Sequence, residues 1–252
     1  MKKKSILYDA SKCTACRGCQ VACKQWNQLP AVKTSFQGTY ENPPRFSANT
    51  WTKIVFKEHE KDDKVQWLFS KQGCMHCSDA ACIKVCPASA ITRNEFGAVN
   101  IDQNKCIGCN YCAANCTYNV IGFDQKANVA RKCNFCVDRV TAGLEPACVK
   151  TCPTGALSFG DRTDMIALAN ERLAFLQENG NPDANIYGLN ELDGLGVLYV
   201  LGDRPEKYGL PENPRVSTAA HIWGIIFKPI RVLVVLAMFF ALWINKSESA
   251  QQ

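Results

Sequence analysis

Apolar and polar positions alternate along "WTKIVFKEHEKDDKVQWLF" (residues 51–69). Two β-rich runs, Trp51–Lys57 and Val65–Phe69, flank a polar turn at Lys61–Asp63, which predicts a hairpin. Shorter runs predict strands at Ile6–Asp9, Ala90–Thr92, Ala98–Ile101, Val120–Phe123, Val129–Ala130 and Leu157–Phe159. Gly97 closes the turn between the second and third of these. The stretch Gln20–Gln25 predicts a short helix. A longer one is predicted over Asp161–Asn179, where Met165, Ile166, Leu168, Ala169, Leu173 and Leu176 form one stripe and Gly180 ends it. That stripe reads as a packing face. "GLGVLYVLGD" (Gly194–Asp203) predicts a strand, "NPP" (Asn42–Pro44) a loop and Pro205–Pro214 a Pro-rich linker.

The pattern then changes. Ala219–Ile244 is mostly apolar, interrupted by His221, Lys228, Pro229 and Arg231. Trp223 and Trp243 would lie about 30 Å apart on a helix, the thickness of a hydrocarbon core. A cation at the centre of a membrane helix costs about 2.5–3.5 kcal/mol. Lys228 and Arg231 lie in the N-terminal half, where side chains lean back and snorkel to the interface. Residues 217–246 are therefore expected to form one transmembrane anchor; a helix buried in a partner's groove is the competing reading.

Cysteine usage changes the picture most. The chain has 252 residues and 16 cysteines, all in groups of four. They are Cys13, Cys16, Cys19 and Cys23; Cys74, Cys77, Cys82 and Cys86; Cys106, Cys109, Cys112 and Cys116; and Cys133, Cys136, Cys148 and Cys152. Disulfides fit poorly, because cysteines two residues apart in a tight loop aim at a common centre. Structural zinc usually joins two C-x2-C knuckles across a longer loop. Three cysteines at x2, x2 spacing and a fourth after x3 is instead the bacterial ferredoxin run for a [4Fe–4S] cluster. With hairpins between the runs, the chain reads as a repeat: cysteine run, hairpin, cysteine run, and again.

Charge follows from this. The formal +6 counts every cysteine as neutral. A four-thiolate [4Fe–4S] site contributes about −2, so four of them leave the loaded protein near −2. Lys12, Arg17, Lys24, Lys105, Arg131, Lys132 and Lys150 lie within a few residues of a cysteine and read as counter-charge or as solvated surface. Lys2–Lys4 is too short for a nucleic-acid arm, so no nucleic acid is expected. Met1–Ser5 is followed by no apolar stretch and the chain has no twin arginine, so it is not expected to direct its own export. His59, His76 and His221 are scattered and no nucleophile–base pair stands out; no catalytic residue and no small-molecule substrate are expected. His76, between Cys74 and Cys77, is a cluster-tuning donor or simply a polar loop residue.

"CTACRGCQVACKQWN", "CMHCSDAACIKVCP", "CIGCNYCAANC", "CNFC…ACVKTCPTGAL", "IYGLNELDGLGVLYVLGD" and "WGIIFKPI" together resemble the four-cluster, ferredoxin-like electron-transfer subunits of molybdenum and tungsten oxidoreductases. The nearest likeness is to the iron–sulfur (β) subunit of membrane-bound formate dehydrogenases, over most of residues 5–245. The resemblance implies an α+β fold with two ferredoxin-like modules related by pseudo-two-fold symmetry. The first would hold 1–72 and 128–160 and the second 73–127. A helix–strand extension and linker over 161–216 and the anchor over 217–246 would follow. The last cysteine of each run would cross to the neighbouring cluster. On that pattern one [4Fe–4S] cluster takes Cys13, Cys16, Cys19 and Cys152, and a second takes Cys133, Cys136, Cys148 and Cys23. A third takes Cys74, Cys77, Cys82 and Cys116, and the fourth Cys106, Cys109, Cys112 and Cys86. Relatives such as respiratory nitrate reductases replace the second cysteine of group three and carry a [3Fe–4S] cluster; Cys109 is present here. Pro87 and Pro153 follow the last cysteine of groups two and four, whereas Lys24 and Thr117 follow the others, a departure that leaves those two segments less rigid.

The implied role is a non-catalytic relay from a Mo/W-bis-pterin catalytic subunit to a cytochrome b-type, quinone-reducing subunit in the lipid bilayer. The implied location is the cytoplasmic membrane with the globular part outside. The same relay in a hydrogenase or in a sulfur-compound or sulfoxide reductase is one alternative. A zinc-stapled scaffold without redox role is another.

Overall fold

The computed structural model describes residues 3–61 and 63–227. In chain order the elements are β1 (Lys4–Asp9), α1 (Gly18–Trp26), β2 (Thr52–Lys61), β3 (Lys64–Gly73), α2 (Ala81–Lys84), β4 (Ile91–Arg93), β5 (Val99–Ile101), α3 (Tyr111–Ala114), β6 (Gly122–Asp124) and β7 (Val129–Arg131). They continue as α4 (Val137–Thr141), α5 (Ala147–Lys150), β8 (Leu157–Asp161), α6 (Arg162–Glu178), β9 (Asn185–Tyr187), β10 (Val197–Leu201) and α7 (Thr218–Ile222). The class is α+β.

One four-stranded sheet, ordered β8-β1-β10-β9, organises the chain. β1 runs parallel to β10 (Ile6 opposite Val197) and antiparallel to β8 (Ile6 opposite Phe159). β10 is apolar throughout, and β1 over Ile6–Tyr8, because both faces are covered there. With period 2, Leu7, Leu198 and Val200 face α6 and meet Met165, Ala169 and Leu176. Ile6, Tyr8, Val197, Tyr199 and Leu201 take the other face and meet Cys19, Cys148 and Phe135. The sheet is thus a wall between one long helix and the cysteine loops. A second core, with no share in that sheet, gathers Ala90, Ile91, Val99, Val120, Ile121 and Ala130 around Cys74, Cys86 and Cys112. Two small hairpins, β4–β5 and β6–β7, frame it.

The stripe on α6 packs as its pattern predicts. Most elements differ by one or more residues from their predicted extents, and three cases bear on the fold. The hairpin β2–β3 is longer, pairing Thr52 with Gly73 at its base. β6 starts at Gly122, and Val120 and Ile121 instead lie buried ahead of it. β10 starts only at Val197, because Leu192, Asp193 and Gly194 adopt φ of 49°, 59° and 97° and turn the chain sharply. The Pro-rich 205–214 segment is not a free linker. It makes a 3₁₀ turn at Pro205–Tyr208, and Tyr208 and Leu210 are buried, with Ser70 Oγ donating to the Tyr208 carbonyl at 2.8 Å.

Of the predicted anchor, only the root is described. α7 is capped by Ser217, whose hydroxyl accepts the Ala220 N–H, and a π-helical stretch Trp223–Phe227 follows. Ala220 packs on Ala81 and Val85. Lys84 Nζ bridges Asp79 at 2.5 Å and His221 Nδ1 at 3.0 Å. The rest of the predicted span, with Lys228, Pro229, Arg231 and Trp243, lies outside the described residues. Among the described residues no helix is long and apolar enough to cross a membrane.

Candidate iron–sulfur sites

The leading C-x2-C unit of each group folds the same way. Its second spacer residue is left-handed: Ala15 (φ 54°), His76 (50°), Gly108 (71°) and Phe135 (64°). The turn aims a backbone N–H back at the leading thiol, as Ala15 does at Cys13 Sγ and Phe135 at Cys133 Sγ, both 3.4 Å. Glycine is needed at 108, where a Cβ would lie 2.4 Å from Asn128 Oδ1. Arg17 and Asn110, also left-handed, then open α1 and α3, and these carry the buried Cys19 and Cys112.

The loops bring the thiols together in fours. Cys74, Cys77, Cys82 and Cys116 line one cavity of about 400 Å³, with Ala80, Ala81, Val99 and Val120 around them. Cys86, Cys106, Cys109 and Cys112 line another of about 330 Å³, against Ala90, Ile91 and Ile101. Burial pushes the Cys19 thiol up to about 12, with Cys148, Cys13 and Cys152 adding to the rise and Lys71 opposing it. Cys16 Sγ and the Thr151 carbonyl converge on Gly18, at 3.6 and 3.7 Å from where its Cβ would stand. Burial also raises Cys23, and the thiols that act on it most are Cys133 and Cys148, both of group four. Cys136 is pushed up to about 12 by burial, then by Cys133 and Cys148. Links between the fours run in series: Cys19 feels Cys148, Cys133 feels Cys74, and Cys82 feels Cys112.

This donor set suits a cuboidal cluster. All sixteen cysteines are free thiols. Burial also holds Cys82 near 12 and Cys112 near 11 as thiols. A lone thiolate is disfavoured there, and a bound metal centre would be what holds such a set of thiols deprotonated.

Of the seven basic residues singled out by sequence, only Lys132 is buried among the sulfurs. Its Nζ donates to the Val99 carbonyl and, at 3.0 Å, to that of Cys133. Burial works against its charge, but Cys74, Cys82 and Cys133 outweigh that and raise its pKa. Arg131 pairs with Asp124 at 3.0 Å, Lys105 with Asp102 at 3.4 Å, and Lys24 Nζ donates to the Pro30 and Asn49 carbonyls. Lys12 and Lys150 are exposed. A second buried cation, Lys71, was not apparent from sequence. Burial opposes its charge too, yet Cys148, Tyr199, Cys133 and Cys19 raise its pKa overall. Its position three residues before Cys74 was the available signal.

Cavities lined by four thiols each on an α+β scaffold, with the buried Lys71 and Lys132 among the cysteines, define an iron–sulfur protein of the ferredoxin type. Residues 65–162 match the 4Fe–4S dicluster domain family. The chain is 44% identical over 239 residues to the formate dehydrogenase-O iron–sulfur subunit of Escherichia coli, covering 93% of this chain and 80% of that protein. It is 43% identical to the nitrate-inducible formate dehydrogenase iron–sulfur subunit of the same bacterium, over 94% of this chain and 82% of the relative. To the formate dehydrogenase 2 subunit beta (cytochrome c-553) of Nitratidesulfovibrio vulgaris it is 37% identical, over 81% and 96%. The chain belongs to the family of formate dehydrogenase iron–sulfur subunits, which are electron-transfer subunits and not catalysts on their own.

Proposed function

We propose that this chain relays electrons within a membrane-bound formate dehydrogenase complex through four [4Fe–4S] sites. The observation that carries the reading is that Cys74, Cys77, Cys82 and Cys116 line one cavity and Cys86, Cys106, Cys109 and Cys112 another. On this reading Cys13, Cys16, Cys19 and Cys152 hold the first cluster, and Cys133, Cys136, Cys148 and Cys23 the second. Cys74, Cys77, Cys82 and Cys116 hold the third, and Cys106, Cys109, Cys112 and Cys86 the fourth. Bound there, the clusters supply one-electron carriers between a Mo/W-bis-pterin catalytic subunit and a cytochrome b-type, quinone-reducing subunit.

The chain's own residues support the direction. Cys16, in the first quartet, is exposed beside Val21, which is 62% exposed. Cys109, in the fourth, is exposed beside Ile107, which is 61% exposed, and Tyr111. Tyr111 also packs edge-on against Trp223, 5.8 Å away, where the C-terminal segment leaves. The first quartet therefore faces the catalytic subunit and the fourth the membrane. The two ferredoxin-like modules, 1–72 with 128–160 and 73–127, are related by a pseudo-two-fold axis, a reading supported by the matching left-handed turns in all four loops. Residues 161–216 form an extension, and 217–246 a single membrane span with the globular part on the outer face.

Anaerobic iron and sulfide analysis is expected to give about 16 irons per chain, four per site; a count near eight rejects four clusters. The complex should reduce a quinone analogue with formate, and reduction with hydrogen but not formate rejects the catalytic partner. Protease in spheroplasts should cleave the globular part, and protection would reject the outer location.

A further inference from the structure

Among the second spacer residues of the four leading C-x2-C units, all left-handed, His76 is the one with a side-chain hydrogen-bond donor; its counterparts are Ala15, Gly108 and Phe135. Its side chain is buried, only 2% exposed, and lines the cavity of Cys74, Cys77, Cys82 and Cys116. Nδ1 accepts the backbone N–H of Val99 at 3.0 Å. That bond fixes the tautomer, because a neutral imidazole accepting at Nδ1 carries its proton on Nε2. Nε2 is buried and has no hydrogen-bond partner among the described residues. A buried N–H without an acceptor is costly and rare, so it calls for one.

The ring is held against turning away. Phe135 packs edge-on against it, with centroids 4.7 Å apart. On the backbone side Gly196 N donates to the Met75 carbonyl and Ser78 N to the Gly194 carbonyl, each at 2.8 Å. A Cβ on Gly196 would lie 2.9 Å from His76 Cβ, so the 194–196 turn closes directly over this residue. The other polar side chains on the cavity wall are Lys132, which only donates, Thr117, whose Oγ1 donates to the Arg215 carbonyl at 3.3 Å, and Tyr118, whose hydroxyl is hydrogen-bonded to that of Tyr187 at 2.9 Å.

We propose that His76 Nε2–H donates a hydrogen bond to a sulfur of the cluster held by Cys74, Cys77, Cys82 and Cys116, and so raises the reduction potential of that cluster alone. The proposal rests on this quartet holding a cluster. A donor to cluster sulfur stabilises the reduced, more negative state. The matching position of the other three loops carries no side-chain donor, so this contact belongs to one member of the series; Asn27 Nδ2 and Thr154 Oγ1, 3.8 Å from the sulfurs of Cys23 and Cys152, come from other positions. The site lies where the two cysteine modules meet, since Lys132 and Phe135 come from the loop of Cys133 and Cys136.

The test is an electron paramagnetic resonance redox titration of the whole complex, wild type against His76→Phe and His76→Gln. Phe copies the residue at the matching position of the group-four loop, and Gln restores a donor. The expected result is one midpoint lowered in His76→Phe, the other three unmoved, iron content unchanged, and the shift partly reversed in His76→Gln. Four unmoved midpoints in fully loaded His76→Phe would overturn the proposal. A second measurement needs no variant: electron–nuclear double resonance on wild-type protein with 15N-labelled histidine. One reduced cluster should show coupling to a histidine nitrogen and to an exchangeable proton, and absence of both would overturn it. Failure of the underlying reading looks different: Cys77→Ser would then remove no cluster signal and no iron.

Discussion

Lys71 places a cation in the interior, between groups one and four, where Cys19, Cys133 and Cys148 surround it electrostatically. A positive charge about 10 Å from a cluster, at an effective dielectric near 20, favours the reduced state by about 1–2 kcal/mol. Lys71→Met, which keeps the volume, should therefore lower the midpoints of the first and second clusters by several tens of millivolts and leave the fourth unmoved. A redox titration showing all four unchanged would refute the role. Cys23 allows a sharper statement. Although it belongs to the run Cys13–Cys23, the thiols acting on it are Cys133 and Cys148. Cys23→Ser should perturb the second cluster first, and a spectrum with the first cluster altered instead contradicts the crossing. These two residues also mark what could be read from the chain itself. In the two cysteine-lined cavities three thiols come from one run and announce themselves by spacing. The fourth, Cys116 in one and Cys86 in the other, comes from the other run, and only family resemblance supplied it. Lys71 stayed hidden because a hairpin's alternation says which side a residue faces, not whether another element covers that side.

Hairpin β2–β3 is tied to the cysteine loops by its neighbours more than by its own pattern. The turn at Ser47–Thr50, just before it, lies against β6 so closely that a Cβ on Gly122 would stand 2.0 Å from Ala48 N and the Ser47 carbonyl carbon. Both are backbone atoms and have little room to give. Gly122→Ala should cost about 3 kcal/mol, the upper part of the range for overpacking, and lower Tm by about 6–12 °C for a chain of this size. A calorimetric shift under 2 °C would show that the turn lifts off freely. At the other edge, Asp9 closes β1: its carboxylate accepts from Ser11 N (3.0 Å), Ser11 Oγ (2.6 Å) and Arg172 Nε (2.7 Å), joining the strand to α6. Asp9→Ala leaves the half-buried guanidinium unpaired and should cost about 3 kcal/mol, read as a lower denaturant midpoint in the intact complex. The strand and the helix were each evident from periodicity. Their tie was not, since nothing in a 3.6 or 2.0 repeat says which carboxylate meets which guanidinium across the fold.

Two kinds of core hold the molecule, and they depend on iron differently. The layer between the sheet and α6 consists of Leu7, Leu198, Val200, Met165, Ala169, Leu176 and Ala184, with no cysteine among them. A four-stranded sheet against a helix of 17 residues can hold itself by apolar burial. The region 74–131 has no such layer. Its strands are three residues long, its helices four, and its core is built around Cys74, Cys86 and Cys112. A lone two-stranded hairpin is marginal in water, and a single helical turn does not stand alone. Four thiols forced together without a core would also have to remain neutral, as the raised pKa of Cys77, Cys82 and Cys112 indicates. Chelating the iron under oxidising conditions should therefore melt 74–131 while the sheet and α6 persist. Hydrogen exchange would report this as fast amides in β4 to β7 beside slow ones in β1, β10 and α6. Uniform exchange throughout would mean the sheet also depends on its clusters, and retained protection in β4 to β7 would mean the second core needs no iron. The expected outcome between these extremes follows from where the apolar area lies: a wall that folds by burial, and a cluster-bearing half that folds around its cofactor.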